Sequence, residues 1–588
     1  MPATAQDRDK IGETPGHPDT RTPGHPDTRN YPAAQMTMSP IWQTSSFERT
    51  VVGAARTVTS TARMLDALEL LRADSRIGVL FAYDDRSVFR DGVLDLLHDI
   101  GAATVAWTDL GAVECDLIVS ASENVAGAPT GVPILVLPHG VGFHKLVPDT
   151  SGSGRRVSGL VPQDALDGRP IVLAISDPGA ADQLSKAQPR AAKHTRITGD
   201  LAWEQLEASA ELRPSYRAAL GCADDAQLVV VSSTWGPQSQ FGTWSGLAAE
   251  LAGSLPADEY RVAQVLHPNV WASLGAYRVR ALLSDALDAG VALIAPQQGW
   301  QAALVAADLV VGDHGSVTFY AAALGRPLLL AAFGTSEIVT GTPMAALGTH
   351  TAHLKRQGRL LPQIVHAFEQ PTSIELTRIA RRALPPGIPA GERLRSAMYD
   401  LLDLSVPARP APRRAAGEPL AELRDVAAFA VYAEVIEDTG PEPVIALSRH
   451  PAAADRGTGP EGGVRFLVAP ADEPDRLLAE AADVVVGRAA AGITEADAAC
   501  ISLLTRFPGS SAAAVDVHGD SVLRVRGRKR PFTVSLAPDA PDKTFSAACT
   551  YAALVTLAKD GKPLTVHGAR VRVGEREFML ALDHAVEA

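Results

Sequence analysis

The sequence is poor in cysteine, in net positive charge and in long apolar runs. Its four cysteines, scattered through 588 residues, show no CxxC or CxH spacing, which argues against a disulfide framework or a zinc site. A formal net charge of −13 argues against nucleic-acid partners, because binding phosphates needs a basic face. No apolar run reaches the ~20 residues of a membrane-spanning helix, and no signal pattern opens the chain. We expect a cytoplasmic protein, with peripheral contact at the inner membrane face left open.

The composition is that of a globular chain with more than one core. It is 46% hydrophobic and 21% charged, and single cores stop growing near ~250–300 residues. Residues 1–48 are rich in Pro, Thr, Asp and Gly and contain a tandem copy of TPGHPDTR, so they predict a disordered tail. Its two Gly-His-Pro units lack the fixed partners of a metal site.

Two series of alternating strands and helices follow the tail. The first, residues 49–165, is expected to begin with a helix from Val51 and to continue through short apolar strands such as VPILVLPHG. The second, residues 166–404, is expected to begin with the strand Pro170–Ser176 and to include LVVVSSTW and YRVAQVLHP. Short continuous apolar runs indicate parallel strands buried on both faces. The sequence therefore predicts an α/β fold of two doubly wound, Rossmann-like lobes that face a cleft.

The last third of the chain is not predicted to have the strand–helix alternation of the two lobes. Residues 405–419, SVPARPAPRRAAGEP, have the composition of an interdomain linker. Residues 420–588 predict an α+β domain of unknown role, with candidate strands such as VRFLVAP and VLRVRG. Its basic clusters RVRGRKR and ARVRVGER are more typical of a solvated sheet face than of a surface for nucleic acid or anionic lipid.

Polar clusters directly follow three of the predicted strands, where an α/β sheet presents residues to a ligand. They are Pro138–Gly140, His267–Asn269 and Gly312–Ser316. The third precedes a predicted helix from Ser316 to Leu324, and the free amides of a helix start form a natural anion site. Asp313 and Ser316 can equally be plain helix caps, and the pattern alone leaves both interpretations open.

The order of these motifs resembles the CDP-glycerol glycerophosphotransferase family, which includes the teichoic-acid polymerases, within the wider group of GT-B transferases and UDP-N-acetylglucosamine 2-epimerases. The resemblance covers about Leu80 to Phe333. The family's Trp-His-Gly-Thr-Pro-Leu-Lys corresponds to Leu137–Lys145, its Lys-Pro-His-Pro to Val265–Pro268, and its Asp-Tyr-Ser-Ser to Asp313–Ser316. The Trp, the Thr and one Ser of these motifs are absent here, which weakens the match to that exact substrate.

The resemblance implies a role for each matched residue. His139 would be the general base that takes a proton from an acceptor hydroxyl, and His267 and Ser316 would contact the donor diphosphate. It implies no metal and no cofactor beyond the nucleotide-diphosphate donor, which is a substrate. Other expected donor-binding residues are Asp313, His314, Gly315, Thr234 and Trp235. Secondary candidates are Gly140, Lys145 and Glu337, followed by His144 and Arg326.

The expected activity is transfer of a glycerophosphate or glycosyl group from a nucleotide-activated alditol or sugar to a hydroxyl acceptor in cell-surface glycopolymer or glycoside synthesis. A lipid-linked acceptor is one option, and nucleic acid is not an expected partner. Two alternatives stay open. A UDP-sugar 2-epimerase would need carboxylates beside the histidines, for which Asp313 and Glu337 are the candidates, and a degenerate GT-B scaffold would bind without catalysis.

Overall fold

The computed structural model describes residues 46–87, 89–138, 140–148, 154–167, 169–370, 373–437, 442–457, 463–538, 540–559 and 568–584. Almost all of the predicted tail lies outside the described residues, and so does His139. The predictions made for them therefore stay predictions.

The first lobe is built on a seven-stranded parallel sheet with strand order β3-β2-β1-β4-β5-β8-β9. Its strands are short apolar runs with hydrophobic clusters on both faces, as expected for a doubly wound sheet. The elements are β1 (Arg49–Ala55), α1 (Val58–Leu68), β2 (Ile77–Tyr83), α2 (Val93–Asp99), β3 (Thr104–Ala106), β4 (Leu117–Ser120), β5 (Ile134–Val136), the hairpin β6 (Leu146–Pro148) and β7 (Arg155–Val157), β8 (Ile171–Ile175), α3 (Pro178–Ala187) and β9 (Thr195–Ile197).

Two predictions about this lobe are wrong. The segment from Val51 begins as strand β1, paired on both sides by β2 and β4, and the helix starts only after Thr57. Thr57 forms a capping box with Ser60, which fixes that start. The expected lobe boundary at residue 166 is also incorrect, because β8 pairs with β5 and β9 pairs with β8. Both strands extend the first sheet.

The second lobe carries a six-stranded sheet with strand order β14-β13-β10-β11-β12-β15, parallel except for the last pair. Large hydrophobic clusters cover both of its faces. The predicted parallel, doubly wound α/β architecture is thus confirmed. The elements are α4 (Leu201–Ala208), α5 (Arg213–Ala219), β10 (Gln227–Ser233), α6 (Gln240–Thr243), α7 (Leu247–Ser254), β11 (Tyr260–Leu266), α8 (Pro268–Leu274), α9 (Ala276–Leu282), α10 (Ser284–Asp288), β12 (Ala292–Ile294), α11 (Trp300–Ala306), β13 (Leu309–Gly312), α12 (Ser316–Ala323), β14 (Leu328–Leu330), α13 (Pro343–His350), α14 (Leu360–Glu369), α15 (Ile374–Ala383), α16 (Ala390–Leu402) and β15 (Ala421–Glu422).

The chain crosses back to the first lobe at α16. Leu394 and Met398 of this helix are buried in the same hydrophobic cluster as α1, and Tyr399 donates its hydroxyl proton to Asp74 at 2.7 Å. The lobes are therefore interleaved in sequence, and the range predicted for the second lobe contains segments of both.

The predicted linker is an ordered strap along both lobes, defined here as residues 405–422. The carbonyl of Arg409 accepts a hydrogen bond from Arg395 at 2.7 Å, and the amide of Ala416 donates to Ser209 at 2.8 Å. At its end, β15 pairs antiparallel with the edge strand β12. These contacts make the strap part of the two-lobed body.

The sequence predicted an α+β domain at the C-terminus, and its strands form a closed nine-stranded barrel. The helix α19 is buried on all sides and contacts the strands around the barrel, because its small residues, such as Ala548 and Ala552, fit the interior. The elements are β16 (Phe429–Glu437), β17 (Val444–Pro451), β18 (Val464–Pro470), α17 (Arg476–Ala481), β19 (Val484–Val486), α18 (Ile493–Arg506), β20 (Ala512–Val517), β21 (Asp520–Val525), β22 (Phe532–Ala537), α19 (Lys543–Lys559), β23 (Ala569–Val573) and β24 (Arg576–His584).

The basic clusters of the barrel bind groups of this same chain. Arg524 pairs with Asp497, and Arg526 donates to backbone carbonyls, including that of Ser510 at 2.9 Å. Arg572 pairs with Glu437 at 3.4 Å. The sequence predicted a solvated sheet face, and these arginines are instead paired within the chain.

Candidate functional site

A cavity of about 800 Å³ lies where the carboxyl ends of the strands of both sheets meet. It is lined from the first lobe by the loop after β5, from the second lobe by the segments that follow β10, β11 and β13, and from the strap by residues such as Arg414. The predicted site residues that line it are Gly140, His144, Lys145, Thr234, Trp235, His267, His314, Gly315 and Ser316.

Three other predicted residues lie elsewhere. Asp313 and Glu337 stand directly behind the lining, in contact with residues that do face the cavity. Arg326 donates to the carbonyl of Val305 at 2.7 Å inside the second lobe, and burial lowers its pKa to about 10. Arg326 is thus part of the lobe's internal structure.

Asp313 organises the turn between β13 and α12. Its side chain is fully buried, and its Oδ2 accepts hydrogen bonds from the amides of Thr234 at 2.8 Å and Gln240 at 2.9 Å. Its Oδ1 accepts from the amide of Gly315 at 2.9 Å. One carboxylate therefore connects the loop after β10 to the start of α12, and its oxygens point into the protein rather than into the cavity.

The start of α12 has the features of an anion site. Its N-cap position is Gly315, which has no side chain to cap the helix, and Ser316 is the first helical residue. The loop of the first lobe passes directly over this point, because a Cβ added at Gly140 would lie only 2.7 Å from Ser316 Oγ. Gly315, Ser316 and Val317 line the cavity, and the helix dipole favours negative charge at this helix start.

Lys145 brings a positive charge to the same wall. Its Nζ donates to Thr234 Oγ1 at 3.3 Å and to the carbonyl of Trp235 at 3.4 Å, and it lies 4.9 Å from the centre of the Trp235 ring. Glu337 Oε2 is 3.9 Å away. Burial lowers the pKa of Lys145, while the negative charge of Glu337 opposes that effect. A bound anion at this wall of the cavity would be an additional partner for the Lys145 ammonium.

His314 positions Glu337 beside that lysine. Its Nδ1 accepts a hydrogen bond from the amide of Gly334 at 3.1 Å, so Nε2 carries the proton and donates it to Glu337 Oε2 at 3.0 Å. Burial lowers the pKa of His314, which keeps the ring neutral.

His267 begins α8 at the cavity wall. Its Nδ1 accepts the amide proton of Asn269 at 3.1 Å, so a neutral ring carries its own proton on Nε2. The ring centre of Trp235 lies 6.5 Å away, and Phe89 packs edge-on against the same indole at 5.4 Å. This arrangement fixes both the tautomer of His267 and the orientation of the neighbouring indole.

A polar network that joins α1 to α12 was not predicted from the sequence. Tyr320 of α12 donates to Asp200 at 2.7 Å, and Arg63 of α1 donates to the Tyr320 hydroxyl at 3.3 Å. Asp66, one turn along α1, lines the same cavity. Arg63 and Asp66 lie inside a helix that the sequence predicts, where an Arg and an Asp are ordinary surface residues. Only the packing of α1 against the second lobe shows that they are near the cavity.

Asp66 gives the protein a testable dependence on pH. Burial raises the pKa of its carboxyl to about 6, although a hydrogen bond with Gln205 and the charge of Arg63 act in the opposite direction. Because an unfolded Asp titrates near about 3.9, the folded state binds this proton more tightly between about pH 4 and pH 6. Its contribution to stability therefore falls as the pH rises through that window.

We expect Asp66→Asn to raise the free energy of unfolding by about 1–2 kcal/mol at about pH 8 and to leave it nearly unchanged at about pH 4. Chemical denaturation of both proteins at the two pH values measures the difference. The exposed Asp95→Asn on α2 is the matched control and should change neither value. An equal change for Asp66→Asn at both pH values would contradict the assignment.

Among the described residues, no group of three His, Cys, Asp or Glu side chains is arranged to hold a metal ion. In the same part of the chain, no helix is both long and apolar enough to cross a membrane.

Comparisons with known proteins give low similarity. No protein-family model and no curated protein matches the sequence. The wall teichoic acid polymerase TagF, as a variant soaked with CDPG, is similar over 61% of this chain and 89% of its own, at 12% identity and a TM-score of 0.41. A glycosyltransferase from Rickettsia africae matches over 61% and 99% of the two chains, at 11% identity and a TM-score of 0.35. UDP-GlcNAc 2-epimerase from Neisseria meningitidis, bound to UDP-GlcNAc, matches over 60% and 99%, at 14% identity and a TM-score of 0.34. At these values the likenesses assign no activity to this chain.

Proposed function

We infer that this protein is a GT-B-type transferase that moves a glycerophosphate or glycosyl group from a nucleotide-diphosphate donor to a hydroxyl acceptor. One observation carries the proposal. At the carboxyl ends of the two sheets, one cavity wall combines the start of α12, the Ser316 hydroxyl, the Lys145 ammonium and the His267 imidazole. Such a wall suits a phosphate-bearing ligand.

The donor diphosphate would lie at the start of α12. There Ser316 would donate its hydroxyl proton to a phosphate oxygen, and the amides that follow Gly315 would do the same. Lys145 would add a positive charge from the first-lobe side. These groups act most strongly as negative charge develops on the departing nucleotide, so they would lower the barrier to transfer.

The base of the nucleotide would pack near Trp235. This indole is partly exposed, is held by Phe89 and Lys145, and lines the same cavity. Aromatic side chains bind bases through their flat faces. His267, 6.5 Å from the indole by ring centres, would donate from Nε2 to the donor.

The proposed transfer forms one bond, breaks one bond and moves one proton. An acceptor oxygen forms a bond to the phosphorus of an alditol donor, or to the sugar carbon of a nucleotide sugar, as the bond to the nucleotide breaks. The acceptor's proton passes to a general base, a role that the family resemblance gives to His139. A glycerophosphate donor would release a nucleoside monophosphate, and a sugar donor would release a nucleoside diphosphate, so the product identifies the group transferred.

A thermal-shift screen tests the donor site. We expect one of UDP, CDP, GDP or ADP to stabilise the protein, and Ser316→Ala to bind that nucleotide about 10–100-fold more weakly, because a hydrogen bond to a charged group contributes about 1.5–3 kcal/mol. His267→Ala should weaken it in the same way. The exposed Ser273→Ala on α8 is the matched control. A screen in which no nucleotide shifts the melting temperature would favour the degenerate, non-catalytic scaffold.

An epimerase acting on a UDP-sugar is the second candidate, and one observation favours it. The carboxylates of Asp66 and Glu123 line the cavity, whereas those of Asp313 and Glu337 lie behind it. Epimerisation moves a proton at a sugar carbon, so it would incorporate deuterium from heavy water into the sugar without any acceptor. A transferase would incorporate none.

A further inference from the structure

His144 is a buried imidazole without a hydrogen-bond partner among the described residues. Only 5% of the residue is exposed, and neither Nδ1 nor Nε2 has a partner there. Its ring packs against Phe319, with ring centres 5.6 Å apart, and lies over Gly142, where an added Cβ would come within 2.7 Å of Nε2. Buried polar atoms are paired in the great majority of cases, so two unpaired nitrogens on one ring call for an explanation.

A second cavity of about 400 Å³ opens beside this ring. It lies between the start of α3 and the end of α15, and its other lining side chains include Asp177, Gln183 and Arg382. Three residues line both this cavity and the large one, and they form the wall that the two spaces share: Gly142, His144 and Ala180. The imidazole therefore lies in the wall between the large cavity and this smaller one, called the small chamber below.

The buried polar groups of the small chamber favour a neutral ligand, and the Arg382 side chain, which also lines it, is exposed to solvent. Burial lowers the pKa of His144 to about 4, so the ring is neutral and offers one N–H donor and one nitrogen acceptor. The Asp177 carboxylate already accepts the amide protons of Gly179 at 2.7 Å and Ala180 at 3.1 Å, and the Ser176 hydroxyl donates to it at 2.7 Å. A hydroxyl group matches a neutral imidazole, because it both donates and accepts.

We propose that the small chamber is a binding subsite for a hydroxyl-rich, uncharged unit, a polyol or a sugar ring, and that His144 recognises one of its hydroxyl groups. Within the proposed function, the occupant is the part of the acceptor that extends away from the reacting hydroxyl. The assignment of this occupant as part of the acceptor rests on the proposed function. The binding of a polyol at His144 is independent of the proposed function, because none of the residues assigned to the nucleotide lines the small chamber.

Ligand-observed NMR on the full-length protein without nucleotide tests the subsite. The probes are glycerol, ribitol, glucose and N-acetylglucosamine, each titrated separately. We expect at least one probe to bind, and His144→Phe to bind it about tenfold or more weakly, since the loss of a hydrogen bond of about 1.4 kcal/mol corresponds to a factor of ten. Phenylalanine keeps the ring packing on Phe319 and removes both nitrogens. His144→Gln retains a donor and an acceptor and should recover part of the affinity.

Ser316→Ala separates this proposal from the proposed function, because it should weaken nucleotide binding by about 10–100-fold and leave polyol binding unchanged. If nucleotides fail to bind while a polyol binds in a His144-dependent way, the subsite stands and the transferase proposal fails. If no probe binds the wild-type protein, or if His144→Phe binds every probe as tightly as wild type, the subsite proposal is overturned. A His144→Phe protein that does not fold is replaced by His144→Leu, which also removes both nitrogens, and unchanged affinity in that variant likewise overturns the proposal.

Discussion

Asp313→Ala is expected to abolish nucleotide binding and to lower the free energy of unfolding by about 3 kcal/mol. The substitution leaves the buried amides of Thr234, Gln240 and Gly315 without their acceptor, although the residue itself does not face the cavity. The turn that presents Ser316 would then lose its fixed connection to the loop after β10. The thermal-shift screen with the best nucleotide measures the loss of binding, and urea denaturation measures the loss of unfolding free energy.

Two further variants serve as controls for Asp313→Ala. Asp313→Asn keeps the shape and one acceptor oxygen, so we expect a smaller loss of stability and weakened nucleotide binding. Asp288→Ala removes an exposed carboxylate whose partner is Arg424, and it should change stability by less than about 0.5 kcal/mol. Wild-type nucleotide affinity in Asp313→Ala would show that this carboxylate does not organise the site.

Arg449→Met should detach the barrel from the second lobe and destabilise the protein by about 3–5 kcal/mol. The guanidinium is 3% exposed, and it donates to Asp258 of the second lobe at 2.9 Å and to Asp542 of the barrel at 2.7 Å. It also lies over the rings of Phe429 and Phe545, at 4.4 and 4.7 Å from their centres. Removing it leaves the Asp258 carboxylate buried without a counter-charge. Differential scanning calorimetry should show the barrel melting separately and at a lower temperature.

A second ion pair across the same interface provides the control. Arg456 is 62% exposed in its side chain and lies 3.4 Å from Glu250. Arg456→Met should therefore cost less than about 1 kcal/mol and leave one common transition. Equal melting curves for the two arginine variants would refute a special role of Arg449 in joining the barrel to the lobe. Nucleotide binding should persist in both, since neither residue lines the cavity.

The local sequence pattern is informative where strands are buried on both faces. Apolar runs such as LVVVSS and LVVG were predicted as parallel strands, and the polar residues after them, including His267 and Ser316, do line one cavity. The physical reason is general, because the carboxyl ends of parallel strands meet at one edge of a sheet. The strand β1 was missed because its sequence RTVVGAA continues without a break into residues that favour a helix.

Features that depend on contacts distant in sequence were not predictable in this way. The barrel closes through pairing of β17 with β23 and of β16 with β18, which no local pattern specifies. The sequence predicts a linker for most of the strap, because its Pro, Ala and Arg residues show neither strand nor helix periodicity. Hydrogen bonds with Ser209 and Arg395 nevertheless hold its backbone in place. The sequence left Asp313 open as a donor-binding residue or a helix cap, and only the fold shows that its carboxylate accepts the amides of Thr234 and Gly315.

A crystal structure with the nucleoside diphosphate that gives the largest thermal shift would test the central claim most directly. The proposal predicts the diphosphate at the start of α12, within hydrogen-bond distance of Ser316 Oγ and of the first helix amides, with Lys145 facing a phosphate oxygen and the base near Trp235. A diphosphate bound elsewhere in the cavity, with the start of α12 left to solvent, would contradict the donor site and the transferase proposal built on it.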